Sequence, residues 1–213
     1  MTMPVAENLA RELGRAVGEL TRAGGCHTVI LYGSYARGDA DADSDVDVFA
    51  VGEEVQNGPR GFSSEYFDFD IWTASETSVA ADLDEYLKIE GGRVLRQRDA
   101  YGDVLLRAVS DRAAKGPGTP DERERAQKKA WIARMAVRAG RDDEEGRYRL
   151  AWLVAELPRV LFELQGRFWL GPKRSLELLR AEYPAFHEAY AALLADPDSV
   201  RALRCVRMVV DEF

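Results

Sequence analysis

The sequence predicts an α/β N-terminal domain with a small mixed sheet, followed by an all-α C-terminal helical bundle. Three observations carry that prediction. Short β-branched or alternating apolar runs ("HTVILYG", "VDVFAV", "EYFDFDIWTA") fall in the first half of the chain. The segment "AAKGPGTPDE", residues 113–122, is the one clear cluster of helix and strand breakers. Beyond it the apolar residues recur at helical spacing. The expected domains are therefore residues 1–114 and 121–213.

Each element has its own warrant. Val5, Leu9, Leu13, Val17 and Leu20 keep helical spacing over residues 5–22, and Gly24-Gly25 ends the pattern. "HTVILYG" and "VDVFAV" read as buried strands. "EYFDFDIWTA" alternates strictly, with Phe67, Phe69 and Ile71 on one face and Asp68, Asp70 and Trp72 on the other. "SETSVAADLDEYLKI" predicts one helix with Ser75 as its N-cap. "GRVLRQ" is a fourth strand candidate, and residues 102–113 a further helix. The second half predicts helices near 122–139, 144–167, 173–194 and 198–211, with breaks near Gly140, Gly171-Pro172, Pro184 and Pro197. Leu150, Leu153, Leu157, Leu161 and Leu164 share one helical face.

Bulk properties exclude several classes. A chain of 213 residues that is 46% hydrophobic and 31% charged is an ordinary globular protein. No apolar run approaches the ~20 residues of a membrane span. The first twenty residues mix acids and bases, unlike a secretory or transit signal, so a cytoplasmic location is expected. Cys26 and Cys205 have no CxxC partner, which excludes a structural zinc site and disfavours a disulfide framework. The net charge of −8 is unevenly spread: residues 1–114 carry −10 and residues 115–213 carry +2. Without a dense basic cluster, tight binding of duplex nucleic acid is not expected. A monomer or homodimer is equally compatible with this composition.

The stretch "GDADADSDVDVF", residues 38–49, places Asp39, Asp41, Asp43, Asp45 and Asp47 on alternate positions. Two carboxylates about 4 Å apart repel by roughly 4 kcal/mol at an effective dielectric near 20, so a compensating cation or full solvation is required. A calcium loop is excluded by register. Counted from Asp39, Asp41 or Asp43, the sixth residue is Ser44, Val46 or Val48, where the EF-hand turn needs glycine. The remaining arrangement is a strand ending in Gly33-Ser34, a polar turn, and a strand opened by Asp45 and Asp47. Residues two apart on a strand point the same way, so these carboxylates converge and suit a hard cation such as Mg²⁺. Asp68 and Asp70 offer a further pair on a later strand. Backbone N–H groups and the hydroxyl at Gly33-Ser34 suit phosphate oxygens. A cation cage beside a phosphate cradle is the outline of a phosphoryl- or nucleotidyl-transfer site.

"YGSYARGDADADSDVDVFAV" resembles the signature of the polymerase-β-like nucleotidyltransferase superfamily: a Gly-Ser pair, a variable spacer, Asp-x-Asp on the next strand and a third carboxylate on a later one. The resemblance spans residues 28–72, about a fifth of the chain. "GSYARG" followed by "SDVDV" is close to the bacterial small-molecule branch, and the helical half resembles, more loosely, that of kanamycin and streptomycin nucleotidyltransferases. The resemblance implies an Mg²⁺-dependent enzyme, using one or two ions. It would move a nucleoside monophosphate, AMP foremost, from a nucleoside triphosphate to a hydroxyl of a small molecule such as an aminoglycoside-like antibiotic, a resistance activity, with release of pyrophosphate. It implies that Asp45, Asp47 and Asp70 hold the metal and form the catalytic set, Asp70 also serving as proton acceptor. It implies nucleotide contacts from Gly33, Ser34 and Lys173, the last in "LGPKRSLELL". The alternatives are a nucleotidyltransferase that modifies a protein or tRNA, and a nucleotide-binding module without turnover.

Simpler readings stand beside these roles. Asp39, Asp41 and Asp43 belong to the variable turn and are solvated. Asp68 competes with Asp70 as third carboxylate. Arg37 and Ser44 match recurring family positions and equally could tie down the turn. Glu156 or Glu163 could be the base that a kanamycin-type enzyme takes from its helical domain, but an Arg159–Glu163 ion pair at i,i+4 is the preferred reading. Arg174 could substitute for Lys173. Arg180 and His187 form a weak Arg-x-x-x-His-type pattern, interrupted by Pro184. His27 is read as structural, and Trp131, Trp152 and Trp169 as bundle core. Trp72 shares the face of Asp70.

Overall fold

The computed structural model describes residues 5–212, and the chain forms two units that part between Ala114 and Lys115. The first contains α1 (Val5–Arg22), β1 (Cys26–Leu31), α2 (Gly33–Arg37), β2 (Val46–Gly52), β3 (Gly58–Arg60) and β4 (Phe69–Ser75). After these come α3 (Glu76–Ala81), a 3-10 helix (Leu83–Ile89), β5 (Arg93–Arg96) and α4 (Tyr101–Lys115). The sheet is mixed, in the order β3-β4-β2-β1-β5. β1 pairs antiparallel with β2 and β5, β2 pairs parallel with β4, and β3 pairs antiparallel with β4.

Alternation divides the sheet into two faces. Val29 and Leu31 of β1, Val46, Val48 and Ala50 of β2 and Ile71 of β4 join Leu13, Ala16 and Leu20 of α1 in one core cluster. The opposite face carries Ile30, Phe49 and Trp72, with Phe49 against Tyr86 of the 3-10 helix at 5.3 Å between ring centroids. Tyr86, Leu87 and Ile89 are buried, so the 3-10 helix is anchored on that face.

Two elements differ from the sequence expectation here. The single helix expected over "SETSVAADLDEYLKI" is divided at Asp82, whose side chain accepts from the Asp84 N–H and starts the 3-10 turn. Ser75 caps α3 as expected, accepting from the Ser78 N–H. The three-residue edge strand β3 went unforeseen because "GPR" has no period to read. Proline is tolerated there because an edge strand has one unpaired side.

The second unit is helical: α5 (Glu122–Ala139), α6 (Glu144–Leu164), α7 (Pro172–Glu182), α8 (Pro184–Ala195) and α9 (Ser199–Glu212). Its core gathers Leu153, Leu157, Leu161 and Leu164 of α6 with Ile132, Phe186 and Val206. The break expected near Pro184 divides 173–194 into α7 and α8, and α6 runs through Pro158 as one helix, as expected over 144–167. Trp152 and Trp169 pack on the core, but Trp131 is exposed, edge-on to Trp152. The expected Arg159–Glu163 pair is not what forms. Glu163 binds Lys128 of α5 at 2.5 Å, and Arg159 lies 3.9 Å from Glu156 and over the Trp169 ring. Among the described residues no helix is long and apolar enough to cross a membrane.

Candidate active site

At one end of the sheet three strands set a row of side chains on the face covered by the 3-10 helix. Asp47 on β2 is in register with Asp70 on parallel β4, so their Cα atoms are a strand spacing of roughly 4.8 Å apart and their side chains leave the same face. Tyr32 completes the row beside β2, its N–H donating to the Asp47 carbonyl at 3.0 Å. Asp45 lies just ahead of β2 and is exposed. Asp68 also lies outside its strand, where its carbonyl accepts from the Val46 N–H at 2.8 Å. The strand therefore places Asp70, and not Asp68, opposite Asp47.

Gly33 is required by this arrangement. Its φ is +70°, and a Cβ there would lie 1.9 Å from Asp47 Oδ2. The backbone at Gly33-Ser34 thus rests directly against the Asp47 carboxylate, at the start of the single turn α2. Asp47 is half-buried, and burial pushes its carboxyl up to about 6. Asp70 and Asp45 add to the rise, while Lys88 and Arg37 oppose it. Burial likewise raises the Tyr32 hydroxyl, with Asp47 and Asp70 contributing.

The turn before β2 is tied by its own groups. The Ser44 hydroxyl donates to Asp41 Oδ1 at 2.8 Å and accepts from the Asp41 N–H at 3.0 Å, and Arg37 pairs with Asp39 at 3.3 Å. Asp39, Asp41 and Asp43 are exposed, in keeping with a solvated turn. Beside that turn is a cavity of about 800 Å³ whose walls include Tyr35, Tyr66, Phe67, Asp43, Asp45 and Asp68. Tyr66 of its wall is pinned to α1 by Arg11, over the ring at 5.2 Å, and the neighbouring Phe62 by Arg15 at 5.3 Å. His27 is structural, bonded through Nδ1 to the Thr28 hydroxyl at 2.9 Å and 2.7 Å from Glu76 through Nε2.

The donors of Asp47 and Asp70, and of Asp45 at the approach, are carboxylate oxygens, which fit a hard divalent ion. Among the described residues, however, no group of three or more His, Cys, Asp or Glu is gathered closely enough to hold a metal ion as it stands. The structure brings Asp47 and Asp70 together and leaves Asp45 at the approach. Lys173 belongs to the second unit, as the exposed second residue of α7; Glu156 and Glu163 belong to α6. Two residues here were not singled out from the sequence: Tyr32 in the row, and Lys88 beside it, whose ammonium lies 4.6 Å from the Trp72 ring centroid and 5.6 Å from that of Tyr32. A lysine in a helical pattern gives no signal, because only the fold shows which face it covers.

Comparison with known proteins finds a family model over most of the first unit. Residues 15–101 match the family model described as nucleotidyltransferase domain. A solved nucleotidyltransferase-like protein from Exiguobacterium sibiricum 255-15 is similar at 14% identity and a TM-score of 0.44, covering 95% of this chain and 75% of that one. No curated protein matches the chain. The matched span includes Gly33, Ser34, Asp45, Asp47, Asp70 and Lys88, and with them the whole carboxylate row.

Proposed function

We propose that the chain transfers a nucleoside monophosphate, AMP foremost, from a nucleoside triphosphate to a hydroxyl of a small cationic acceptor, in an Mg²⁺-dependent reaction. The observation that carries this reading is the register of Asp47 with Asp70 against the Gly33-Ser34 backbone. Asp47 and Asp70, joined by Asp45, would hold the ion or ions. A divalent cation bound there neutralises phosphate charge as it develops. Gly33 and Ser34 hold the β- and γ-phosphates through backbone N–H groups and the hydroxyl.

Asp70 takes the proton of the acceptor hydroxyl on a carboxylate oxygen. The acceptor oxygen bonds to the α-phosphorus, the bond to the bridging oxygen breaks, and pyrophosphate leaves with that electron pair. No covalent enzyme intermediate is needed. The acidic and aromatic cavity beside Asp45 favours a cationic, ring-bearing acceptor, since an acidic cleft concentrates cations and aromatic faces attract them. An aminoglycoside-like compound has that chemistry.

The test is Mg²⁺-dependent pyrophosphate release with each nucleoside triphosphate against a panel of aminoglycosides, lincosamides and other hydroxylated compounds. An Asp45→Asn/Asp47→Asn variant is the control. Acceptor-dependent release by the parent alone supports the reading. Triphosphate binding that is lost in the variant, without release on any small acceptor, moves the acceptor to a protein or RNA. Loss of both sinks the catalytic assignment.

A further inference from the structure

The row of Tyr32, Asp47 and Asp70 is roofed by a cation that the chain itself supplies. Lys88 lies between Leu87 and Ile89, which are 6% and 0% exposed, so its backbone position is fixed by its neighbours. Its ammonium lies over the rings of Trp72 and Tyr32. Those rings bracket the carboxylates: Trp72 follows Asp70 by two residues on the same strand face, and Tyr32 is beside Asp47 across the sheet. The ammonium thus lies near two ring faces and close enough to Asp47 and Asp70 for charge interaction with both.

We propose that Lys88 is the resident counter-cation of the Asp47–Asp70 pair, and that a divalent ion entering the pair must drive its ammonium off the Trp72 and Tyr32 rings. This inference rests on the cation site proposed above and goes beyond it by naming what the ion competes with. Asp47 is half-buried with the exposed Asp70 carboxylate beside it, so positive charge nearby is favourable, and another cation acting on Asp47, Arg37, is already paired with Asp39. Burial lowers the pKa of the Lys88 ammonium while Asp70 and Asp47 oppose the fall, so the same two carboxylates help keep it charged. Once a doubly charged ion sits between them, attraction for Lys88 becomes repulsion. The ring contacts, worth more to a partly desolvated cation than to an exposed one, then define where the ammonium rests before the ion arrives. Lys88 acts here as a positioning residue that sets the threshold for ion entry.

The experiment is a Mn²⁺ titration of the whole chain without nucleotide, by calorimetry and by tryptophan emission, on the parent, Lys88→Met, Lys88→Arg and Asp47→Asn. A Trp72→Phe variant identifies the emission that belongs to Trp72. Removing the competing charge should tighten Mn²⁺ binding about fivefold or more in Lys88→Met, while Lys88→Arg stays near the parent. The Trp72 emission of the parent should change as Mn²⁺ binds, and that change should be absent from Lys88→Met. Lys88→Gln is a second neutral variant if Lys88→Met does not fold. Equal or weaker Mn²⁺ binding in a folded neutral variant overturns the role of Lys88 and leaves the cation site standing. Mn²⁺ binding that survives Asp47→Asn puts the ion elsewhere and overturns the inference. If the parent and the neutral variants bind no Mn²⁺, the cation site falls, and the inference with it.

Discussion

At the scale of single residues, Gly33 and Asp47 are one device. Gly33→Ala must displace the Asp47 carboxylate and also strains a positive φ. We expect it to cost about 1–3 kcal/mol, measured by urea unfolding, and to abolish nucleotidyl transfer. Asp47→Asn acts in the opposite direction on stability. It removes a half-buried charge beside Asp70, and after discounting for solvent screening the ion-free chain at pH 7 should gain about 1 kcal/mol while losing its response to Mg²⁺. A fall in the ion-free thermal midpoint of this variant would contradict that account. Cys205 is fully buried and its thiol is pushed up to about 11 by burial, and Cys26 is buried and raised for the same reason. Neither should react with a disulfide reagent until the chain unfolds.

At the scale of elements, the legibility of the sequence followed periodicity. The strands β1, β2 and β4 were readable because alternation exposes a buried face, but the same alternation puts Asp68 and Asp70 on one face and does not choose between them. Legibility failed where one side chain overrules a period. Asp82 redirects a helical pattern by capping the 3-10 turn, and without that turn the position of Lys88 cannot be deduced. Capping also governs the second unit. Asp143 accepts from the Gly146 N–H at 2.7 Å, which with Arg141 holds its carboxyl below the ordinary 3.8. A depressed carboxyl contributes stability above its unfolded pKa and loses it as pH falls through the folded value. Helicity followed by circular dichroism should therefore decline below about pH 4, and Asp143→Ala should flatten that dependence while lowering stability at pH 7.

At the scale of the whole molecule, charge is partitioned between the two units. Residues 1–114 hold −10 and include the carboxylate row, while residues 115–213 hold +2. If the acceptor is cationic, its capture depends on the field of the acidic unit. That field is screened beyond about 10 Å at 0.1 M salt. The kcat/KM for a cationic acceptor should then fall several-fold between about 0.05 and 0.5 M salt, whereas that for a neutral hydroxylated acceptor should change little. Matching slopes for the two acceptor types in a pyrophosphate-release series would exclude steering. This partition was visible in the sequence, since composition needs no fold. The cavity proposed for the acceptor was not, because its walls come from α1, α2, the turn before β2 and the turn before β4, segments that meet only after folding.

The pairing of Asp47 with Asp70 also bears on how the sheet finds its alignment. Were β4 to slide by one residue along β2, Asp70 would trade places with Ile71 and enter the apolar layer under α1, among Val46, Val48 and Leu13. An unpaired carboxylate in that layer costs several kcal/mol, far more than a parallel strand pair gains from one alternative set of backbone bonds. The residues that crowd negative charge at the end of the sheet thereby serve as a proofreading mark during folding: the misaligned sheet is rejected before it can close.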